Sequence, residues 1–258
     1  MSDRSATKEF YDEFLERRMV SYLLNGNKRI DMALEFAVSE GVDTRHFLDF
    51  GCGIGYFAEQ LFAKSPSSKG LAVDAGPANV AFARRLLEEH KIDVYEFDSL
   101  SEKEILEFFK PLLGSATLTS IFAIDVIEHL PTNERLGFFS GLRKLIHREG
   151  SFIITYPSPD YQRYLKRNKP EELQYIDEEI PLDVLLSELS GSGWKLKTFR
   201  SADVWLKNQY YHLHLVPEMR LDRAPGSKKK PSMFRRAVRK FNRKRRKQKV
   251  DKILWEIS

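Results

Sequence analysis

Phe47-Leu48-Asp49-Phe50-Gly51-Cys52-Gly53-Ile54-Gly55-Tyr56-Phe57 is the stretch that decides the fold of this chain. Its apolar start reads as a buried strand, its glycines as a tight turn, and the residues from Tyr56 onward as a helix. Glycine at such a turn takes φ > 0 without strain and lets the backbone come close to a ligand. The spacing is G-x-G-x-G, which differs from the G-x-G-x-x-G of dinucleotide sites. Asp49 stands two residues before the first glycine. A pyrophosphate gains nothing from a carboxylate there, whereas a ligand with a cationic end does.

Downstream, Gly70-Leu71-Ala72-Val73-Asp74 is again a buried strand ending in an acid. A carboxylate at that place can accept both hydroxyls of a ribose, as in βαβ nucleotide sites. The competing reading is a solvated turn acid before Gly76-Pro77. Alternation over Ile92–Ser99 predicts a third strand ending at Asp98, although Asp98-Ser99 is also ordinary turn chemistry. Helices over 77–90 and 101–113 separate these strands. Ala116–Ile124 then reads as a fourth strand, ending in Asp125-Val126-Ile127-Glu128-His129-Leu130-Pro131. Three polar groups thus crowd a strand's carboxyl end, where open α/β sheets bind ligands. A helix over 134–147 and a strand over 151–156 continue the pattern, and Tyr156–Tyr161 falls on the same rim.

The glycine turn with its acid, the second strand-end acid and the D-V-I-E-H-L run together resemble motifs of the class I S-adenosylmethionine (SAM)-dependent methyltransferases, over about residues 30–216. The resemblance implies an α/β fold: a Rossmann-like, seven-stranded, mostly parallel sheet with a final antiparallel strand and helices on both faces. It implies SAM as cofactor, held by Asp49, Gly51, Cys52, Gly53, Gly55, Asp74, Ala75, Asp98, Ser99 and Asp125. Asp98 takes the place of the acid that contacts the adenine amino group. Tyr56 and Ile127 are candidates for shaping the pocket.

Methyl transfer is a displacement on carbon, so alignment and exclusion of water dominate, contributing on the order of 7–11 kcal/mol. An oxygen acceptor must also lose a proton, which calls for a base or a metal. The catalytic candidates are His129, Glu128 and Asp125. Three readings stay open for them. His129 is the base or orients the acceptor, since imidazole titrates near neutrality. Alternatively Asp125, Glu128 and His129 hold a divalent ion, resembling the acid-x-x-Glu-His pattern of some ubiquinone-pathway and small-RNA methyltransferases. Here an aspartate replaces the usual first glutamate, and the expectation is that no metal is bound. In the third reading Glu128 and His129 cap the following helix and bond to backbone.

Ahead of the turn, helices over 7–24 and around Ile30–Val38 are expected, broken at Asn25-Gly26-Asn27 and closed by Gly41. In the resemblance such helices, within residues 7–40, cover the cofactor and substrate mouth. Residues 162–180 read as a polar lid, with Tyr161, Tyr164, Gln174 and Tyr175 as candidate substrate contacts. Pro181 opens a helix ending at Gly191-Ser192-Gly193. The segments Trp194–Phe199 and Tyr210–Val216 alternate as strands with no helix between them. A closing antiparallel hairpin brings the strands to seven and argues against a dehydrogenase.

At 258 residues and 42% apolar, the chain can bury a sizeable core. Its one cysteine excludes an intrachain disulfide framework and suits a reducing compartment. The charged N-terminus lacks the apolar core of a signal peptide, and no run approaches the ~18 apolar residues of a membrane span. The net charge of +5 hides a split. From Arg220 onward 16 Lys and Arg face 3 Asp and Glu, while residues 1–219 hold 26 bases and 34 acids. Residues 1–219 therefore read as the catalytic domain and 220–258 as a basic amphipathic extension. Phe234, Ala237, Val238 and Phe241 share one helical face of it, which suits an anionic membrane surface, with nucleic acid as the other partner. The expected location is cytoplasmic, peripheral at the inner face of the membrane. The expected reaction is O-methylation of a sugar, a glycan intermediate or another hydroxylated metabolite. An RNA methyltransferase holding phosphates with the tail is the alternative, and a SAM-binding regulator without turnover is a third reading.

Overall fold

A computed structural model of the chain describes residues 20–173 and 176–218. The described residues belong to one compact unit that ends at Glu218. Residues 7–19 of the expected helix over 7–24, Gln174, Tyr175 and the whole basic extension lie outside the described residues, as does the extension's expected membrane or nucleic-acid partner. No described helix is long and apolar enough to cross a membrane.

Seven strands form one sheet: β1 (His46–Phe50), β2 (Lys69–Asp74), β3 (Ile92–Glu96), β4 (Leu118–Ile124), β5 (Ile146–Pro157), β6 (Trp194–Ala202) and β7 (Tyr210–Pro217). Their order is β3-β2-β1-β4-β5-β7-β6. The first five run parallel, and β7 lies antiparallel between β5 and β6. The expected fold class is the one observed. The strand order reverses between β1 and β4, so the crevice at their carboxyl ends is where such a sheet takes a ligand.

The described helices are α1 (Val20–Asn25), α2 (Lys28–Ser39), α3 (Tyr56–Lys64), α4 (Pro77–Leu86), α5 (Glu102–Leu113), α6 (Thr132–Arg143), α7 (Pro159–Asn168) and α8 (Leu182–Gly191). One apolar cluster joins α2, α3 and α4 to the sheet through Phe36, Phe57, Leu61, Val80, Phe47 and Phe122. The other joins α5, α6 and α8 through Ile105, Phe109, Phe138, Leu142, Leu185 and Leu189. Burial of this order, at about 25 cal/mol per Å² of apolar surface, is what holds such a layered sheet. Local chemistry sets the helix starts: Asn27 accepts from Arg29 and Ile30 at α2, and Ser158 from Tyr161 at α7.

Three expectations shift. The third strand ends at Glu96, so Asp98 lies in the loop beyond it. The helix over 134–147 becomes α6, which stops at Arg143, because Leu145 and Ile146 are buried at the start of β5 beside Leu118. The apolar spacing fits both elements there, and pairing with β4 wins over helical continuation. The expected polar lid contains a regular helix, α7, whose Gln162 and Leu165 are buried.

Candidate active site

The glycine turn curls over the end of β2. Gly51, Gly53 and Gly55 have φ of 74°, 54° and 85°, the left-handed region that side chains avoid. A Cβ on Gly51 would come within 2.5 Å of Val126. The backbone N–H groups of Gly51 and Cys52 donate to the Val73 carbonyl, and that of Gly53 to Asp74 Oδ2 at 2.8 Å. Asp74 Oδ1 accepts from Gly76 N and from the Asn79 amide. The second strand-end acid thus fixes the turn as well as facing the ligand space.

A cavity of about 530 Å³ opens along this turn, within the ordinary range for small-molecule and cofactor sites. Of the expected cofactor residues, Gly51, Cys52, Gly53, Asp74, Ala75, Asp98 and Asp125 line it, as does Tyr56. Asp49, Gly55, Ser99 and Ile127 are not among its lining residues. Ser99 instead donates to Glu104 at the start of α5. Asp49 is buried, and its Oδ2 has no partner among the described residues. Burial, reinforced by the Asp74 charge, pushes its carboxyl up to about 8. Burial and the same two acids raise the Cys52 thiol well above its usual range, which removes it as a nucleophile.

The residues fit SAM on these observations. The turn exposes backbone to the cavity, and Asp74 and Asp98 face it for the ribose and adenine; Asp49 is not among the lining residues, and its raised carboxyl adds no charge to the cavity.

At the other end, Asp125 adopts φ 56° and receives hydrogen bonds on both sides. Its Oδ1 accepts from Thr155 Oγ1 at 2.9 Å, and its Oδ2 pairs with Arg29 at 2.9 Å. Arg29 also donates to the Tyr210 hydroxyl at 2.9 Å. Burial opposes the Arg29 charge, but Asp125 and Tyr210 hold the guanidinium more firmly protonated than usual. With both carboxylate oxygens so engaged, Asp125 is not arranged as a metal ligand beside Glu128 and His129. Among the described residues no group of three His, Cys, Asp or Glu is placed to hold a metal ion.

Ile127–His129 forms a single 3-10 turn, which turns Glu128 and His129 into the cavity. The side chains do not cap α6; Glu178 does, accepting from the Thr132 N–H and hydroxyl. His129 Nδ1 lies 2.7 Å from the Ile176 carbonyl. A carbonyl only accepts, so Nδ1 carries the proton and Nε2 presents its lone pair. Burial lowers the imidazole below its ordinary value against the opposing pull of Asp177, 3.6 Å away, so the ring is neutral near pH 7. Glu128 is 2% exposed, with Oε1 3.8 Å from His129 Nε2. Burial, then the Asp125 charge, pushes its carboxyl well above the usual range.

Several site residues were not singled out from the sequence. Arg29, Asn79, Gln162, Asp177 and Tyr210 all line the cavity. The aromatic signal in α7 pointed to Tyr161 and Tyr164, which stack on each other at 6.2 Å away from the lining, while Gln162 and Leu165 face the cavity. An i, i+3 reading of α7 was the available signal for those two.

Residues 48–152 match the family model of a methyltransferase domain. A polyamine aminopropyltransferase from Chromobacterium violaceum is 23% identical over 128 residues, 48% of each chain. This chain therefore spans about half the length of that relative. A tRNA N(3)-methylcytidine methyltransferase from Schizosaccharomyces pombe is 22% identical over 201 residues, 74% of this chain and 78% of that one. Among solved structures, magnesium protoporphyrin IX methyltransferase from Synechocystis with bound SAH superposes with a TM-score of 0.55 at 17% identity. That likeness covers 73% of this chain and 81% of the other.

Proposed function

We propose that this chain, whose core has the fold and the matched stretch of a class I SAM-dependent methyltransferase, methylates a hydroxyl of a sugar, glycan intermediate or other hydroxylated metabolite. The observation that carries the reading is the 2.7 Å contact between His129 Nδ1 and the Ile176 carbonyl, which leaves Nε2 as a base facing the cavity. SAM, when bound, supplies a methyl group from which the sulfur departs with the bonding electron pair. The glycine turn, Asp74 and Asp98 would hold it. His129 Nε2 receives the proton that the acceptor hydroxyl gives up, and Asp177 steadies the imidazolium. Tyr22, Arg29 and Ile30 from α1 and α2, and Ile176 and Asp177 from the segment after α7, line the cavity, and with cofactor and acceptor bound they would limit the water at the reacting atoms.

The test is transfer of labelled methyl from SAM into a fractionated cell extract. Label in hydroxylated small molecules, released as a methyl ether, supports the reading; label bound only to nitrogen or carbon sinks it. RNA methylation is the second reading, favoured by the tRNA-modifying relative and by the basic extension. Incorporation confined to an RNase-sensitive fraction would establish it instead.

A further inference from the structure

Trp205 and Leu206 stand side by side at the tip of the β6–β7 hairpin, 62% and 45% exposed. Turn chemistry asks for residues such as Asp and Asn, which Asp203 and Asn208 supply, but nothing in a turn asks for Trp-Leu. The tip is built to hold the pair outside. Val204, just before them, is 1% exposed and packs with Ala202, Tyr210, Met32 and Tyr161. Its carbonyl accepts from Lys28 Nζ. The buried Gln209 turns its Oε1 to the N–H groups of Trp205 and Leu206, at 2.8 and 2.9 Å. The Asn208 N–H donates to Asp203 Oδ1 at 2.7 Å, with Asn208 at φ 55°. The backbone of the tip is thus fixed from within, and its two apolar side chains are left to solvent.

The position of the tip gives this exposure a use. Ala202 pairs with Tyr210, and Tyr210 with Pro157, so the hairpin turns at the carboxyl end of β5. Both Tyr210 and Pro157 line the cavity. Two other exposed apolar residues belong to the same rim. Leu24 precedes the break that leads to Lys28, and Tyr164 stacks on Tyr161, which packs on Tyr210 at 5.8 Å. Lys207 is exposed in the tip and Lys28 lies at its base, against one acid, Asp203, which accepts from Asn208.

A protruding Trp-Leu pair beside lysine suits a lipid boundary. There an indole keeps its N–H near water while its ring is buried, and the lysine reaches lipid phosphate. Stacking on a nucleic-acid base would use Trp205 but leave Leu24 and Leu206 without a role. We infer that the hairpin tip docks this domain on an anionic lipid surface, with Trp205 and Leu206 entering the boundary between headgroups and acyl chains. Docking in this way brings the Tyr210 edge of the cavity to the bilayer. The tip is fixed before it binds, so little ordering opposes its insertion. Stable anchoring takes two signals, and the basic sequence from Arg220 onward would supply the second. None of this depends on which acceptor is methylated.

Tryptophan fluorescence of the full chain tests the inference. Of its three tryptophans, Trp194 is buried and Trp255 lies in the basic extension, so Trp255→Phe leaves Trp205 to report on the tip. With vesicles of phosphatidylcholine and phosphatidylglycerol at low salt, emission should shift to the blue and be quenched by brominated phosphatidylcholine. Phosphatidylcholine alone should give a weaker response, and adding Trp205→Phe should abolish the quenching. Trp205→Ser combined with Leu206→Ser should lower vesicle partitioning about tenfold or more, with SAM affinity and melting temperature unchanged. Unchanged partitioning in that double variant, or binding without quenching of Trp205, assigns attachment to the extension alone and overturns the inference. Absence of vesicle binding by the full chain overturns it too. An equal response to phosphatidylcholine alone overturns the anionic preference assigned to the surface. A Trp205 response to single-stranded RNA and not to vesicles makes the tip a nucleic-acid contact instead. Emission already blue without vesicles, and unmoved by them, means that protein covers the tip; either result overturns lipid docking.

Discussion

Two histidines sit beside carboxylates in this domain, His214 buried and His129 part-exposed, and they differ in every respect that matters for function. His214, on β7, accepts or donates at both ring nitrogens: Nδ1 to Glu40 Oε2 at 3.0 Å and Nε2 to Ser151 Oγ at 2.8 Å. Glu40 is further bonded by Thr198. Serine, histidine and glutamate stand in a row that resembles a nucleophile triad on paper. None of the four lines either described cavity, and the row simply ties the end of α2 to three strands. His129 has one nitrogen fixed by a carbonyl and the other facing the cavity, beside Glu128, whose Oε2 has no partner among the described residues. Satisfied valences mark a tie, and unsatisfied ones at a strand's carboxyl end mark a site.

The largest test exchanges the two. His129→Ala should lower the transfer rate ~10²–10⁴-fold while SAM affinity and thermal stability stay near wild type. The acid limb of the wild-type rate profile, set by an imidazole held below its ordinary value, should vanish with it. His214→Ala should do the reverse, leaving Ser151 unmet and Glu40 hydrogen-bonded by Thr198 alone, at a cost of about 2 kcal/mol, or roughly 4–8 °C in melting temperature. Calorimetric melting and single-turnover kinetics on both variants decide it. Equal stability loss in the two would erase the distinction drawn here.

A smaller effect is expected one step removed from His129. Arg135 is 2% exposed and bonds both Glu178, at 2.5 Å, and Glu188, at 2.9 Å. Through Glu178 it anchors the segment that brings Ile176 and Asp177 against His129. Arg135→Met should therefore loosen the tautomer-fixing contact and cut turnover about tenfold. It should also shift the acid limb of the rate profile, which a purely structural loss would leave in place. An unchanged limb at reduced stability would make Arg135 a fold residue only.

Much of this was legible in the sequence, and the part that was not has a physical cause. The turn of Gly51–Gly55, the strand-end Asp74 and the run Asp125–His129 are local signals, because each needs only neighbours in sequence. The closing hairpin was readable for the same reason. Arg29 meeting Tyr210 spans 181 residues, and Gln162 meeting Asp177 depends on how α7 is rolled. Periodicity fixes which face a helix buries but not which cavity that face meets. Asp49 illustrates the opposite error of detail: its position next to the glycines was plain, yet the side chain lies behind the cavity wall.

The smallest test extends the contrast to two aspartates that flank the turn. Among the described residues Asp74 has three protein donors, whereas Asp49 Oδ2 has none. Asp49 in the folded protein titrates at about 8, against about 3.9 when unfolded. The folded state thus keeps this proton where the unfolded state has lost it. Its contribution to stability is full below about pH 4 and is lost as pH rises toward 8. Asparagine has the same shape and no such loss. In the cofactor-free protein, Asp49→Asn should therefore gain on wild type as pH rises from 5 to 8 and then level off. Relaxation of the site limits the gain to about 1–2 kcal/mol, or roughly 2–8 °C. Glu128 also titrates abnormally, but it is present in both proteins and cancels in the difference. Melting curves at four pH values suffice, and a gap that stays constant with pH would show that Asp49 is ionised and partnered after all.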